Sequence, residues 1–400
     1  MSFPTTHQPR GATGRTIVVL DERESTAQEV LHGLGVPCVH ARDLGPGAIG
    51  TAGTLPAGSA VVLDALGIAI LEDASDLVSE AAQDPRAAVV TAEPEVWVHA
   101  FTEAPEPTTP LADTDASTWG LLATGVVGPD GVATAWDGSG VLVAVLDTGV
   151  DEAHPDLAGR IALSRSFVAG EAVHDANGHG THVAGTIAGA QAPAGGQRRF
   201  GVAPGSDLLV GKVLGDGGSG TSGGVLEGMN WAVEQGAHVI SMSLGSAVGE
   251  GQGYLHYYEA AARAALAAGS LIIAAAGNEG RRPVGSPANC PSVMAVAALD
   301  QRLLRAEFSC IALNGDGGEL NLAGPGVGVY SSWPVALGSY RSLDGTSMAT
   351  PHVSGLAALA VQANGVRGQA LWDRLVAGVR PLSEDEQLVG SGLAVAPTAG

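Results

Sequence analysis

Basic residues are scarce. The 400-residue chain sets 19 Lys and Arg against 41 Asp and Glu, for a formal net charge of −22, and Lys212 is its sole lysine. Binding a polyanion relies on Lys and Arg displacing counterions, so nucleic acid is excluded as a partner. The acid excess suits solubility and attraction for cations such as calcium. Aromatic residues make up 4% of the chain, so the core must be built from Ala, Val, Leu and Ile. Three cysteines, Cys38, Cys290 and Cys310, are too few for a disulfide framework. Whether Cys290 and Cys310 pair or stay as buried thiols is left open. No uncharged apolar run reaches the roughly 18–20 residues that span a bilayer, so no membrane partner is expected. The first fifteen residues carry no apolar stretch of signal-peptide length and no small-residue cleavage site. Read literally, the chain is cytoplasmic or exported by a non-classical route. A chain trimmed of its signal would read the same way.

Hydrophobic residues at 45% and charged ones at 15% can bury a large core, in one big domain or two. After a polar tail over 1–14, residues 15–100 read as a small α/β unit. Thr16–Leu20 is a strand, Glu22–Leu34 a helix and Val36–His40 a second strand. Ala60–Leu71 reads as a strand bent at Gly67, Asp73–Gln83 as a helix stopped by Pro85, and Ala87–His99 as a last strand or strand pair. That order is ferredoxin-like. Residues 101–117 carry three prolines and four acids with no base, which predicts an exposed linker. Over 118–400, apolar β-branched runs alternate with Ala-rich helical stretches. The strands expected are 141–146, 208–213, 238–243, 271–276 and 293–297. The helices expected are 179–190, 222–235, 257–268 and 346–363. Such alternation predicts an α/β domain with a doubly wound, mostly parallel sheet.

Four short segments carry chemistry. Asp147 ends a strand, where ligands gather in an open parallel sheet. His179 stands between glycines at a helix start, and His182 three residues on reads as a structural histidine rather than half of a metal pair. Ser347 opens an Ala-rich helix, whose free N–H groups suit both an activated hydroxyl and the oxyanion it generates. Asn278 ends another strand, with a carboxamide able to donate. Each has a plain structural reading on its own, as a cap or a turn residue. Jointly, an Asp, a His, an Asn and a Ser at sheet edges and helix starts are the parts of an acyl-transfer site.

The segments LDTGVDEAHPDL, NGHGTHVAGTIAG, SMSLG, AAAGNEG and GTSMATPHVSG stand in this order in the chain. In these motifs residues 118–400 resemble the subtilisin-like serine peptidases. Residues 15–100 resemble that family's inhibitory propeptide through LDALGIAIL and PRAAVVTAEPEVW. The resemblance implies a serine endopeptidase made as a self-inhibited zymogen and acting as a monomer on peptides or proteins. It implies Asp147 orienting His179, His179 as general base and acid, Ser347 as nucleophile, and Asn278 with the Ser347 N–H as oxyanion hole. No cofactor is needed for that chemistry.

Substrate is then expected as an added strand between Ser243-Leu244-Gly245 and Gly218-Ser219-Gly220. Ala274 to Gly277 and Gly285 would line the primary pocket, with Glu279 at its rim. Asp156 matches a calcium position of the family. The facing loop Gln191–Phe200 lacks the usual ligand pattern and carries Arg198 and Arg199, so calcium would be at most a structural ion. Two other functions use the same parts. A peptide ligase or macrocyclase would capture the acyl-enzyme with an amine, and a catalytically silent protein would use the peptide groove alone.

Overall fold

The computed structural model describes residues 15–20, 27–44, 56–72, 87–93, 95–98 and 111–398. The N-terminal unit contains β1 (Thr16–Leu20), α1 (Ala27–Gly33), β2 (Cys38–His40), β3 (Ala60–Leu63), β4 (Ile68–Leu71), β5 (Ala87–Ala92) and β6 (Glu95–Val98). The first five strands form one sheet in the order β2-β3-β4-β1-β5. Within it β1 runs antiparallel to β4 and β5, and β3 antiparallel to β4. The second strand expected at 36–40 is β2, which lies at the sheet edge, parallel to β3. One expectation is corrected. Ala60–Leu71 is a hairpin rather than one bent strand, turning where Gly67 adopts φ +64°. The helix expected over 73–83 lies outside the described residues.

Both faces of this sheet are buried, so its strands read as continuous apolar runs rather than alternating ones. Period two sorts the side chains. Val18, Val62, Ala69 and Leu71 pack with Val30 and Leu31 of α1. Ile17, Val19, Val61, Leu63, Ile68 and Ile70 join a cluster with Val225, Met229, Tyr257 and Ala261 of the larger domain.

That domain contains α2 (Trp119–Ala123), β7 (Leu142–Asp147), β8 (Ile161–Ser166), α3 (His179–Ala188), β9 (Asp207–Lys212), β10 (Ser219–Thr221), α4 (Ser222–Glu234), β11 (Val239–Met242), β12 (Leu244–Gly245), α5 (His256–Ala267), β13 (Leu271–Ala275), β14 (Met294–Leu299), β15 (Leu322–Pro325), β16 (Val329–Ser332), β17 (Tyr340–Leu343), α6 (Thr346–Asn364) and α7 (Gly368–Ala377). Its seven-stranded sheet runs β15-β14-β13-β11-β7-β9-β8, and all six pairings are parallel. Val143, Val145 and Ile273 pack on one face with Val183 and Ile187 of α3 and Val353 of α6. Ala144, Leu146 and Ile272 pack on the other with Leu226 of α4 and Tyr258 of α5. The sheet is thus doubly wound.

Residues 111–117 belong to this domain rather than to a linker. Asp113 pairs with Arg198 at 2.9 Å and accepts the Trp119 N–H at 2.8 Å. β6 leaves the N-terminal sheet and becomes the middle strand of a second one, ordered β10-β6-β12 and antiparallel on both sides.

Candidate active site

The singled-out residues lie at or just past strand ends and at helix starts. Asp147 closes β7 opposite Lys212 at the end of β9. It is fully buried, and its Oδ1 accepts the Thr148 N–H and lies 2.7 Å from His179 Nδ1. His179 is the first residue of α3. Its N-cap, Gly178, adopts φ +104°, and a Cβ there would collide with the Trp333 ring. Only glycine meets both demands. Among the described residues, His179 Nε2 has no hydrogen-bond partner. His182 donates from Nε2 to the carbonyls of Val329 and Arg341, and burial pushes its pKa down to about 3. A neutral, committed imidazole of this kind is structural, as the sequence suggested.

Ser347 is the second residue of α6, so its N–H has no intrahelical acceptor. Pro351 has no N–H to give the Ser347 carbonyl four residues back. The Ser243 hydroxyl fills that place at 2.9 Å, and Ser347 Oγ in return donates to the Ser243 carbonyl at 3.0 Å. Asn278 accepts the Thr346 N–H and hydroxyl on Oδ1, each at 2.9 Å. Those two bonds fix the amide orientation and leave Nδ2 without a hydrogen-bond partner among the described residues.

The peptide ladder expected from the sequence is occupied by the chain's own β6. Trp97 lies opposite Ser219 and Gly245, Val96 opposite Gly220, and Val98 opposite Leu244. Gly218 stands outside the ladder in a turn at φ +79°, and Thr221 pairs instead. Ser243 is likewise absent from the ladder, its hydroxyl and carbonyl being engaged with Ser347. Gly277 and Gly285 come together through the Gly285 N–H to the Ala276 carbonyl at 2.8 Å. Ala274 packs inside β13 in the core cluster with Val284 and Cys310. Glu279 is exposed, yet its carboxylate turns back to accept the Cys310 thiol at 3.1 Å. Burial, followed by Glu279, pushes that thiol's pKa up. Cys290 and Cys310 are both free.

The two oxygens of Asp156 accept the Ala194 N–H at 2.6 Å and the Tyr340 hydroxyl at 2.8 Å. Among the described residues no group of three or more His, Cys, Asp or Glu could hold a metal ion.

The sequence reading passed over three residues around the site. Lys212 is fully buried, donating to the Thr148 carbonyl and to Asp216, both at 2.7 Å. Asp175, four residues before His179, accepts donors from both the Asp147 turn and the His179 helix. An acid just ahead of a helix start was the available signal. Asp344, three residues before Ser347, accepts the Gly328 N–H at 2.6 Å, and burial raises its pKa from 3.8 to about 6. A carboxyl raised on folding favours the folded state most below its unfolded pKa and loses that benefit as pH rises through the folded one. Asp344→Asn keeps the acceptor and removes the charge. We expect its melting curve to match the parent below pH 4 and to gain up to about 3 kcal/mol above pH 6. Thermal melts from pH 4 to 8 in a Ser347→Ala background check this; no gain at pH 8 would contradict it.

The subtilase family profile, Peptidase S8, matches residues 138–377, more than half of the chain. Among curated proteins, alkaline elastase YaB of Bacillus sp. is 46% identical over 247 residues, covering 62% of this chain and 60% of that protein. The thermostable alkaline protease of Halalkalibacterium halodurans is 48% identical over 223 residues, 56% of this chain and 57% of that one. Subtilisin Savinase of Lederbergia lenta is 46% identical over 228 residues, 57% and 78%. The chain therefore spans less than two thirds of the length of the first two. With the family match extending from before Asp147 to beyond Ser347, the chain belongs to the subtilase family.

Proposed function

We propose that this chain is a serine endopeptidase and that its N-terminal unit inhibits it until removed. The observation that carries the reading is the 2.7 Å contact of Asp147 with His179, together with Asn278 bonded to Thr346 beside Ser347 and β6 held in the adjoining groove. The relatives' names, elastase and alkaline protease, support peptide-bond hydrolysis.

In the reaction the Ser347 hydroxyl swings from the Ser243 carbonyl to His179 Nε2. Oγ attacks the substrate carbonyl carbon as its proton passes to Nε2, and Asp147 at Nδ1 stabilises the imidazolium. Asn278 Nδ2 and the Ser347 N–H donate to the oxyanion. Collapse breaks the C–N bond, and the leaving amine takes the proton from His179. Water then attacks the ester by the same route, releasing the acid and restoring Ser347. Once the N-terminal unit is removed, a fluorophosphonate probe should label Ser347, and mass spectrometry of a peptide digest should show cleaved fragments. Joined products would favour a ligase, and absence of both would favour a silent binder.

The inhibitory role is supported by how β6 is anchored. Just before it, Glu93 pairs with Arg15 at 2.7 Å, both buried, and accepts the N–H of Gly223 at the start of α4. Arg15 also donates to the α4 N-cap Thr221 at 3.0 Å. A carboxylate at a helix N-terminus is favourable, and removing one partner of a buried pair strands the other charge at a cost of about 3–5 kcal/mol. In full-length Ser347→Ala, Glu93→Ala should therefore tighten binding of a substrate peptide by on the order of a hundredfold. Fluorescence anisotropy measures it; unchanged affinity would argue that the N-terminal unit does not close the groove.

A further inference from the structure

We propose that Asp175 is a positioning residue of this site, holding His179 and Asp147 in register; the inference rests on the hydrolase reading above. The two side chains come from different elements, a strand end and a helix start 32 residues on. Asp175 ties those elements together and is itself fully buried. Its Oδ1 accepts the Thr148 hydroxyl at 2.9 Å, the Gly178 N–H at 2.7 Å and the Asn177 N–H at 3.2 Å. Its Oδ2 accepts the Thr181 N–H at 2.8 Å and hydroxyl at 2.6 Å. With donors on both oxygens the carboxylate cannot turn.

Thr148 is the link to the acid. Its N–H donates to Asp147 Oδ1, its hydroxyl to Asp175, and its Oγ1 accepts the Gly180 N–H at 2.9 Å. Asp175 also supplies what the N-cap glycine lacks, an acceptor for a first-turn amide of α3. The result is one rigid frame around the 2.7 Å contact between His179 and Asp147.

Asp175 further adds negative charge beside the turn that carries the imidazole. Ionisable residues around it include Asp147 from β7, His174 next to it in the chain, Asp151 whose N–H donates to Thr181, neutral His182 one turn along α3, and Lys212 behind Thr148, itself facing Asp216 and Glu171. Removing the Asp175 charge should make the imidazolium harder to form.

Asp175→Asn tests this, because an amide NH₂ must then face donors of Thr148, Gly178 or Thr181. In enzyme counted by active-site titration, kcat should fall by about tenfold to a hundredfold with KM within about twofold, as expected for misplaced groups. The acid limb of kcat/KM should move to lower pH. Thr148→Val should reproduce the loss, Thr148→Ser should restore most of it, and the Asp175→Asn, Thr148→Val double variant should be little worse than either alone. In full-length Ser347→Ala, the low-field proton resonance of His179 Nδ1 should shift or broaden when Asp175→Asn is added. An unmoved acid limb and an unmoved resonance, with loss only in the titrated fraction, would overturn the proposal. If Asp175→Asn does not fold, the Thr148 pair decides. If the parent, once its N-terminal unit has been removed by proteolysis, neither hydrolyses peptides nor labels with a fluorophosphonate, the hydrolase reading fails, and the resonance still judges Asp175.

Discussion

Ser347→Ala is expected to abolish peptide hydrolysis while the chain folds as before. The loss should be on the order of 10⁴-fold or more, because without Oγ no acyl-enzyme can form and only binding and oxyanion donors remain. The fold should survive for a local reason. The hydroxyl removed makes one hydrogen bond, to the Ser243 carbonyl, while the bond that replaces the one lost to Pro351 runs from Ser243 to the Ser347 carbonyl and needs no side chain at 347. Circular dichroism and a melting temperature within a few degrees of the parent would establish folding, and a peptide assay the loss. Hydrolysis within tenfold of the parent would remove Ser347 from the role of nucleophile. The same variant should stay full length on a gel, since self-cleavage needs the same hydroxyl.

Asn278→Ala should lower kcat by about 10²–10³, the range for loss of one oxyanion donor, and leave KM nearly unchanged. The split follows from timing, since the oxyanion appears only after attack. Because Oδ1 holds the Thr346 N–H and hydroxyl, truncation also leaves a donor next to the nucleophile without its acceptor, so a modest drop in melting temperature should accompany the kinetic loss. Asn278→Asp keeps Oδ1 but turns the donor into a second acceptor bearing charge. It should be at least as slow as Asn278→Ala while melting closer to the parent. A raised KM with unchanged kcat in either variant would contradict the oxyanion role.

The five central strands were legible because they are buried on both sides and read as unbroken apolar runs. β8 and β15 were missed at the two edges of the same sheet. β8 (IALSRS) has three exposed positions and reads as polar, and β15 (LAGP) is short and carries both Gly and Pro. Asp147, His179, Asn278 and Ser347 stand out in the sequence only as a set, through the glycine-bordered motifs that carry them, and the structure puts Asp147 2.7 Å from His179. Asp175 and Thr148 do not stand out, because a residue that accepts or donates around a site looks, in sequence, like any other polar residue in a loop. The hairpin at Ala60–Leu71 was misread for a related reason. Apolar runs on both sides of Gly67 hide the reversal, which only the pairing of Val62 with Ala69 reveals.

Lys212, the chain's sole lysine, is sealed beneath Thr148 with its ammonium held by a carbonyl and two carboxylates. An amine-selective acylating dye therefore meets no lysine side chain on the folded molecule. Its incorporation at that one position has to wait for the strand ends to open, and the label gained there, located by peptide mapping apart from the chain's α-amine, becomes a clock for that opening. Because Lys212 stands opposite Asp147 in the sheet, the clock is set beside the chemistry itself and reports on the loosening of this site rather than on fraying at the periphery.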